Sequence, residues 1–260
     1  MSLTGKSPAE TYKDIAYVDN SNNGVTTTLK SLKTGEGSST ALQVSDRSLL
    51  VKSATNNTTA LDVQNASGSS KLLVDTTNNY VKANGVHVHT LYQTFGARAS
   101  DGLGVSQASL GRHYPAMAKG SDGSLIDGGS STDPATTLSI TQDADDYVLC
   151  YWYIMDAITI DRVVWWHGAD AATGDTIRAH LMSYDVNTDN DADGGNLTNG
   201  TVLADGADIT NAGYEQTYYQ QLTIQSADVS AGKVVMFFWR SDSVNSDFSI
   251  NATVKYHITG

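Results

Sequence analysis

The segment Thr40-Ala41-Leu42-Gln43-Val44 returns nineteen residues later as Thr59-Ala60-Leu61-Asp62-Val63. Each copy is followed by a second apolar triplet, Leu49-Leu50-Val51 and Leu72-Leu73-Val74. The units have strand length, and period-2 pairs such as Leu42/Val44 and Leu61/Val63 turn one face inward. Polar turns at 45–48, 53–58, 65–70 and 76–79 separate them. One chain of such units holds too few apolar side chains to close a core. Three copies wound about a shared axis supply one, each strand giving a single apolar row. The repeat therefore predicts a trimeric stem over 26–85, with Leu42, Val44, Leu61, Val63, Leu72 and Val74 facing the axis. A small monomeric meander is the alternative.

Beyond residue 136 the strand signal is denser. Candidate strands are 137–142, 147–155, 158–166, 176–184, 214–224, 233–239 and 247–258, with a short one near 201–203. In the last, Phe248, Ile250, Ala252, Val254, Tyr256 and Ile258 alternate with Ser249, Asn251, Thr253, Lys255 and His257, as in a half-buried antiparallel strand. Segments 147–155 and 234–239 are apolar on both faces. A two-sheet sandwich buries one face of each sheet, so the second face predicts contact with a neighbouring subunit through Tyr151, Tyr153, Phe237 and Trp239. Eight strands in roughly 125 residues fit a jelly roll or related Greek-key sandwich.

The remaining segments are short. Ser7 can cap a helix, Pro8 suits its first turn and Glu10 stands at the capping-box position, which predicts a helix over about 8–15. Residues 86–135, broken by Gly102, Gly104, Gly111 and Gly120, read as a neck or linker. The expected organisation is an anchoring segment 1–25, a stem 26–85, a neck 86–135 and a head 136–260. The fold class is mainly β: a short N-terminal helix, a β-repeat stem and an antiparallel, jelly-roll-like head.

Composition supports this and excludes several functions. Asp (25) far outnumbers Glu (three), and Gly (23) outnumbers Pro (three), a balance that favours tight turns over helix interiors. Of the net charge of −12, residues 121–260 carry −15, from five Lys/Arg against twenty Asp/Glu. Such a field repels phosphate backbones and anionic bilayers, so neither nucleic acid nor membrane is an expected partner. No apolar run approaches the roughly 18 residues of a membrane-spanning helix, and the polar stretch 1–14 does not fit a secretory signal. The single Cys150 excludes an intrachain disulfide and a cysteine-built zinc site. It lies in an apolar segment, where a thiol is inert.

No catalytic set emerges. His167, His180 and His257 each have an Asp nearby in sequence, but no Gly-x-Ser-x-Gly elbow accompanies them. Gly102-Leu103-Gly104 lacks the third glycine of a dinucleotide fold. Asp189-Asn190-Asp191-Ala192-Asp193-Gly194 matches the first half of a calcium loop, but its twelfth position is Gly200 rather than Glu, and a solvated acidic loop is the better reading. The rings of Trp152, Trp165, Trp166, Trp239, Tyr147, Tyr151, Tyr153, Tyr218 and Tyr219 are expected mostly in the core, with exposed ones able to stack on sugars. The chain is read as a non-enzyme without cofactor or bound metal.

The opening Gly5-Lys6-Ser7-Pro8-Ala9-Glu10-Thr11-Tyr12-Lys13-Asp14, the Asp19–Gly24 turn and Gly35-Glu36-Gly37 resemble the N-termini of virion structural proteins of tailed bacteriophages, especially marine ones. Leu73-Val74-Asp75-Thr76-Thr77-Asn78 resembles the repeats of phage fibre stems. His180-Leu181-Met182-Ser183-Tyr184, Ala212-Gly213-Tyr214-Glu215 and Val229-Ser230-Ala231-Gly232-Lys233 are similar to their terminal sandwiches. The resemblance covers most of the chain and its motifs are structural. It implies a homotrimer located in the virion, held through its N-terminal part (Ser7, Pro8, Glu10, Tyr12) to the major capsid protein or another virion protein, with the head outward. Tail fibres carry a longer shaft, so a compact capsid decoration or cement protein is expected. A short tail fibre contacting host glycans is the alternative. Some phage fibre tips hold iron through paired histidines, and the threefold axis of a trimer would gather six imidazoles from His87-Val88-His89. A polar row on a strand is the simpler reading of that pair.

Overall fold

The computed structural model describes residues 16–21, 23–99, 111–117, 128–139, 148–170, 173–188, 196–242 and 247–259. The predicted helix and the anchoring residues Ser7, Pro8, Glu10 and Tyr12 lie outside this set, as do Asp189–Gly194. The chain is mainly β and antiparallel, and it divides into two compact units, Met1–Val88 and His89–Gly260.

The first unit contains two four-stranded meanders. One runs through β1 (Tyr17–Val18), β2 (Lys30–Lys33), β3 (Ser39–Val44) and β4 (Leu49–Val51). The other runs through β5 (Leu61–Gln64), β6 (Ser70–Asp75), β7 (Tyr80–Ala83) and β8 (Val86–His87). Side chains that accept backbone N–H groups set the turns. The Ser45 hydroxyl accepts from the amides of Arg47 and Ser48. The Asn65 side chain accepts from those of Ser67 and Ser69, and Gly68 takes the left-handed conformation beside it. Asp75 accepts from the amides of Thr77 and Asn78 and from the Asn78 side chain. Burial pushes the Asp75 carboxyl up, but the Asn78, Tyr80 and Thr77 hydrogen bonds outweigh it and hold it below its ordinary value.

The register of these meanders gathers the repeat's apolar residues. Leu42 faces Val51 and Val44 faces Leu49. Leu61 faces Val74, which faces Val81, and Val63 faces Leu72, which faces Ala83. Directly opposed residues share a face, so each sheet carries one apolar patch. Nothing in the described part of the unit buries it: no apolar side chain among residues 16–88 is buried, and Leu49 is 66% exposed. Asp75 is the buried residue there.

The second unit is a two-sheet sandwich of β9 (Thr90–Ala99), β10 (His113–Ala116), β11 (Trp152–Tyr153), β12 (Ile158–Asp170), β13 (Thr176–Val186), β14 (Leu197–Asp205), β15 (Ile209–Thr210), β16 (Glu215–Gln221), β17 (Thr223–Ile224), β18 (Asp228–Val229), β19 (Lys233–Ser241) and β20 (Asp247–Ile258). One sheet has the order β10-β19-β13-β14-β17, the other β16-β12-β20-β9. Among the eight described strands longer than two residues the pairing is nested. The first pairs with the last (β9–β20), the second with the seventh (β10–β19), the third with the sixth (β12–β16) and the fourth with the fifth (β13–β14). Between the sheets Phe95 stacks 6.0 Å from Phe237, Trp165 lies 6.1 Å from Phe237, and Trp239 lies 5.9 Å from Phe248.

Several expectations are corrected. Among the described residues the expected neck is corrected: Thr90–Ala99 and His113–Ala116 are full members of the two sheets. Segment 147–155 is not one strand: Val148–Cys150 form a helical turn, and only Trp152–Tyr153 pair, with Val235 and Val234. Phe237 and Trp239 do not face another subunit; both are buried in the chain's own core. The two-sided apolarity of β19 has an internal cause. Val235, Phe237 and Trp239 enter the core between the sheets, while Val234, Met236 and Phe238 enter a second core on the outer side. That second core contains Leu138, Cys150, Met182, Tyr184 and Leu197, with Ala135 and Tyr151 packed against it. The segments 128–139 and 148–151 thus roof one sheet, and Tyr184 Oη donates to the Ala135 carbonyl at 2.9 Å.

Candidate functional site

The two sheets of the head treat their outer faces differently. The roofed sheet has a core packed against each side. The other sheet alternates, and its outward residues form a platform. Trp166 on β12 pairs with Tyr219 on β16 and with Asn251 on β20. Val164 pairs with Gln221 and Thr253, and Thr253 with Thr94; Arg162 pairs with Lys255, and Lys255 with Tyr92. Trp166 is 51% exposed and Tyr92 65%. The Trp166 and Tyr219 rings lie 5.0 Å apart, tilted by 53°, and Arg162 Nη2 donates to Tyr219 Oη at 2.8 Å. Tyr92, Arg162, Val164, Tyr219, Thr253 and Lys255 line a shallow depression of about 410 Å³. Open aromatic faces flanked by hydroxyl, amide and cationic groups can stack on apolar faces of a ring and hydrogen-bond its edges.

Behind this platform the inward residues are fixed. Trp165 Nε1 donates to Gln220 Oε1 at 3.1 Å. His167 Nε2 donates to Asn211 Oδ1 at 3.1 Å, because the amide of Asn211 is already directed to the Asp175 carbonyl. Burial pushes the His167 imidazole below its ordinary pKa. A bulge at Asp161 shifts the β12–β20 register, and that carboxylate meets His257 Nδ1 at 3.0 Å.

On the roofed side a polar cluster lies within the second layer. His113 and His180 are both buried, edge to face at 4.9 Å. Arg178 holds Asp205 with two parallel bonds, Nε to Oδ1 at 3.1 Å and Nη2 to Oδ2 at 2.8 Å. His180 Nε2 stands 3.2 Å from Asp205 Oδ1 and 3.4 Å from Asp133 Oδ1. Burial, followed by the neighbouring His113, takes the His180 pKa down to about 3, and burial also lowers that of His113.

The residues singled out in the sequence are distributed as follows. Leu42, Val44, Leu61, Val63, Leu72 and Val74 do form shared apolar rows within each sheet of the first unit. Tyr151 packs against the second core, and burial pushes its hydroxyl up to about 12. Tyr153 is exposed on the edge strand β11. His87 and His89 do not lie on one continuous strand: His87 ends β8, packed 4.9 Å from the Tyr80 ring, and Val88–His89 form a turn. Cys150 is fully buried. The Trp166–Tyr219 pair was visible in the sequence as residue types but not as neighbours. The Asp133–His180–Asp205 cluster was missed, since a loop and two strands far apart in sequence supply it.

The chain matches no protein-family model, and no curated protein matches it in sequence.

Proposed function

We propose that this chain is a structural protein of a tailed-bacteriophage virion, a homotrimeric capsid decoration or cement protein held through its N-terminal part with the sandwich outward. One observation carries the reading: the described first unit leaves every apolar side chain of its repeat unburied. Sheets of this kind gain stability when copies of the same rows cover one another. The nested strand pairing of the head supports it further, since it is the order by which two Greek keys close a jelly roll, an architecture used by viral capsid and lectin domains. Architecture alone does not fix function. Light scattering of the full chain, repeated on a form lacking residues 1–85, tests the trimer. A trimer that dissociates on truncation supports the reading, and a monomer at all concentrations refutes it. Counting copies per purified phage particle then separates capsid from tail.

A second reading, a short tail fibre or receptor-binding protein contacting host glycans, is favoured by the open Trp166–Tyr219–Tyr92 platform. Glycan-array binding that disappears in Trp166→Ala supports this role. Since Trp166 is half exposed, the variant is expected to change stability by less than ~0.5 kcal/mol. An array blank at millimolar glycan leaves the decoration role as the sole reading.

A further inference from the structure

We propose that Asp133, His180 and Asp205 bind one divalent transition-metal ion per chain, of the zinc class, and that this ion pins the roof segment 128–139 to the sheet beneath it.

The sheet preorganises two of the three ligands. His180 on β13 and Asp205 on β14 are direct cross-strand partners, so their side chains rise on the same face. That face is the outer one, because Ala179 and Leu181 on either side of His180 enter the core between the sheets. Asp133 comes from the roof and is half exposed, which leaves the site open to solvent on one side. The three donor atoms lie within 4.8 Å of one another. Ligands at about 2.0–2.2 Å from a tetrahedral ion stand roughly 3.3–3.5 Å apart, close to the 3.2 and 3.4 Å separations from Nε2 to the two carboxylate oxygens.

The state of His180 is the independent observation. Its side chain is 0% exposed, and neither ring nitrogen makes a hydrogen bond among the described residues. A buried polar group without a partner is costly. Nε2 nonetheless stands beside two carboxylate oxygens without a hydrogen bond to either, and a cation shared by the three atoms would satisfy all of them.

The surroundings orient the ligands. Arg178 grips Asp205 from the far side with its paired N–H groups, the kind of outer hydrogen bonding that holds metal-binding carboxylates in place. The His180 ring is wedged against His113, whose Nδ1 donates to the Gly129 carbonyl at 3.1 Å in the same roof. Arg178 and Arg240 oppose a cation, and Asp208, 3.7 Å from Arg178, offsets part of their field. One imidazole with two carboxylates selects zinc, cobalt or nickel over calcium or magnesium, which require more oxygen donors.

Full-length protein, stripped with chelator and dialysed, is titrated calorimetrically with Zn²⁺, and its melting is followed with and without the ion. The expected result is one Zn²⁺ per chain, a higher Tm, and a Co²⁺ derivative with the visible absorption of a four-coordinate centre. Asp133→Asn, a change in the half-exposed roof, is expected to weaken Zn²⁺ binding by about tenfold or more while the far-ultraviolet spectrum stays unchanged. The double variant His87→Ala/His89→Ala is expected to bind as the parent does. Absence of stoichiometric Zn²⁺ overturns the proposal. So does undiminished binding by Asp133→Asn, or a Ca²⁺ response equal to that of Zn²⁺. Asp133→Asn decides the matter even if His180→Gln fails to fold.

Discussion

The two units place their apolar residues in opposite ways. Residues 16–88 shape two meanders through turn chemistry, with Ser45, Asn65 and Asp75 each satisfying backbone amides, and leave the apolar rows uncovered. The sandwich covers both faces of one sheet with its own chain and keeps rings as large as Trp165 and Trp239 fully inside. Local hydrogen bonds can specify where a strand turns, but burial supplies most of the stability. A region with the first has little burial of its own to hold it, whereas the sandwich holds the means of its own stability.

The largest test of that contrast is Phe237→Ala. Phe237 touches Phe95 and Trp165 across the two sheets, so truncation is expected to destabilise the head by about 3–5 kcal/mol without altering association. Denaturant melts followed by tryptophan fluorescence isolate the head, because all four tryptophans lie in it. The mirror experiment is Leu61→Ser with Leu72→Ser. It should abolish oligomers by sedimentation velocity while the tryptophan melt stays in place. A shifted melt with association intact would reverse the contrast.

Acid sharpens it further. The folded state holds His113, His167 and His180 below their ordinary pKa through burial. The unfolded chain therefore takes up protons first, and head stability, complete above about pH 6.5, falls as pH drops below that value. For His180 the loss continues to about pH 3. The Asp75 turn has the depressed carboxylate of the first unit, and its contribution persists until pH falls below about 4. Melts at pH 7 and pH 5 should show a weakened tryptophan transition. No change between them would mean the imidazoles are not buried neutral. The smallest effect is expected from Tyr184→Phe, which removes the hydroxyl bond to the roof at Ala135 and costs about 1 kcal/mol in the same melt.

Much of the head was legible because its strands alternate. The 247–258 pattern placed Phe248, Ile250, Ala252 and Val254 inward, and they are buried. The mainly β class followed from turn-forming residues and from the repeat. What stayed hidden was what covers a strand that is apolar on both faces. Composition along β19 says that both sides are dry, but not whether a neighbour or the chain's own 128–139 and 148–151 does the covering. The His180–Asp205 pairing was equally invisible, since register across β13 and β14 depends on bulges near Leu181 and Ser183 that no local pattern announces. His87-Val88-His89 misled for the opposite reason. Alternating residues suggest a strand, but Asn84-Gly85 turns the chain just before them, with both residues at positive φ, and β8 ends at His87.

The nested pairing of the head also sets a timetable. β9 must find β20, whose first residue lies about 150 positions downstream, and at ~5–20 residues per second a ribosome needs roughly 8–30 s to deliver it. Throughout that interval Phe95 and Ala97 have no sheet to enter. The head is expected to close only once β20 has been made, in one cooperative step, with the long sequence separations that make all-β chains slow to fold.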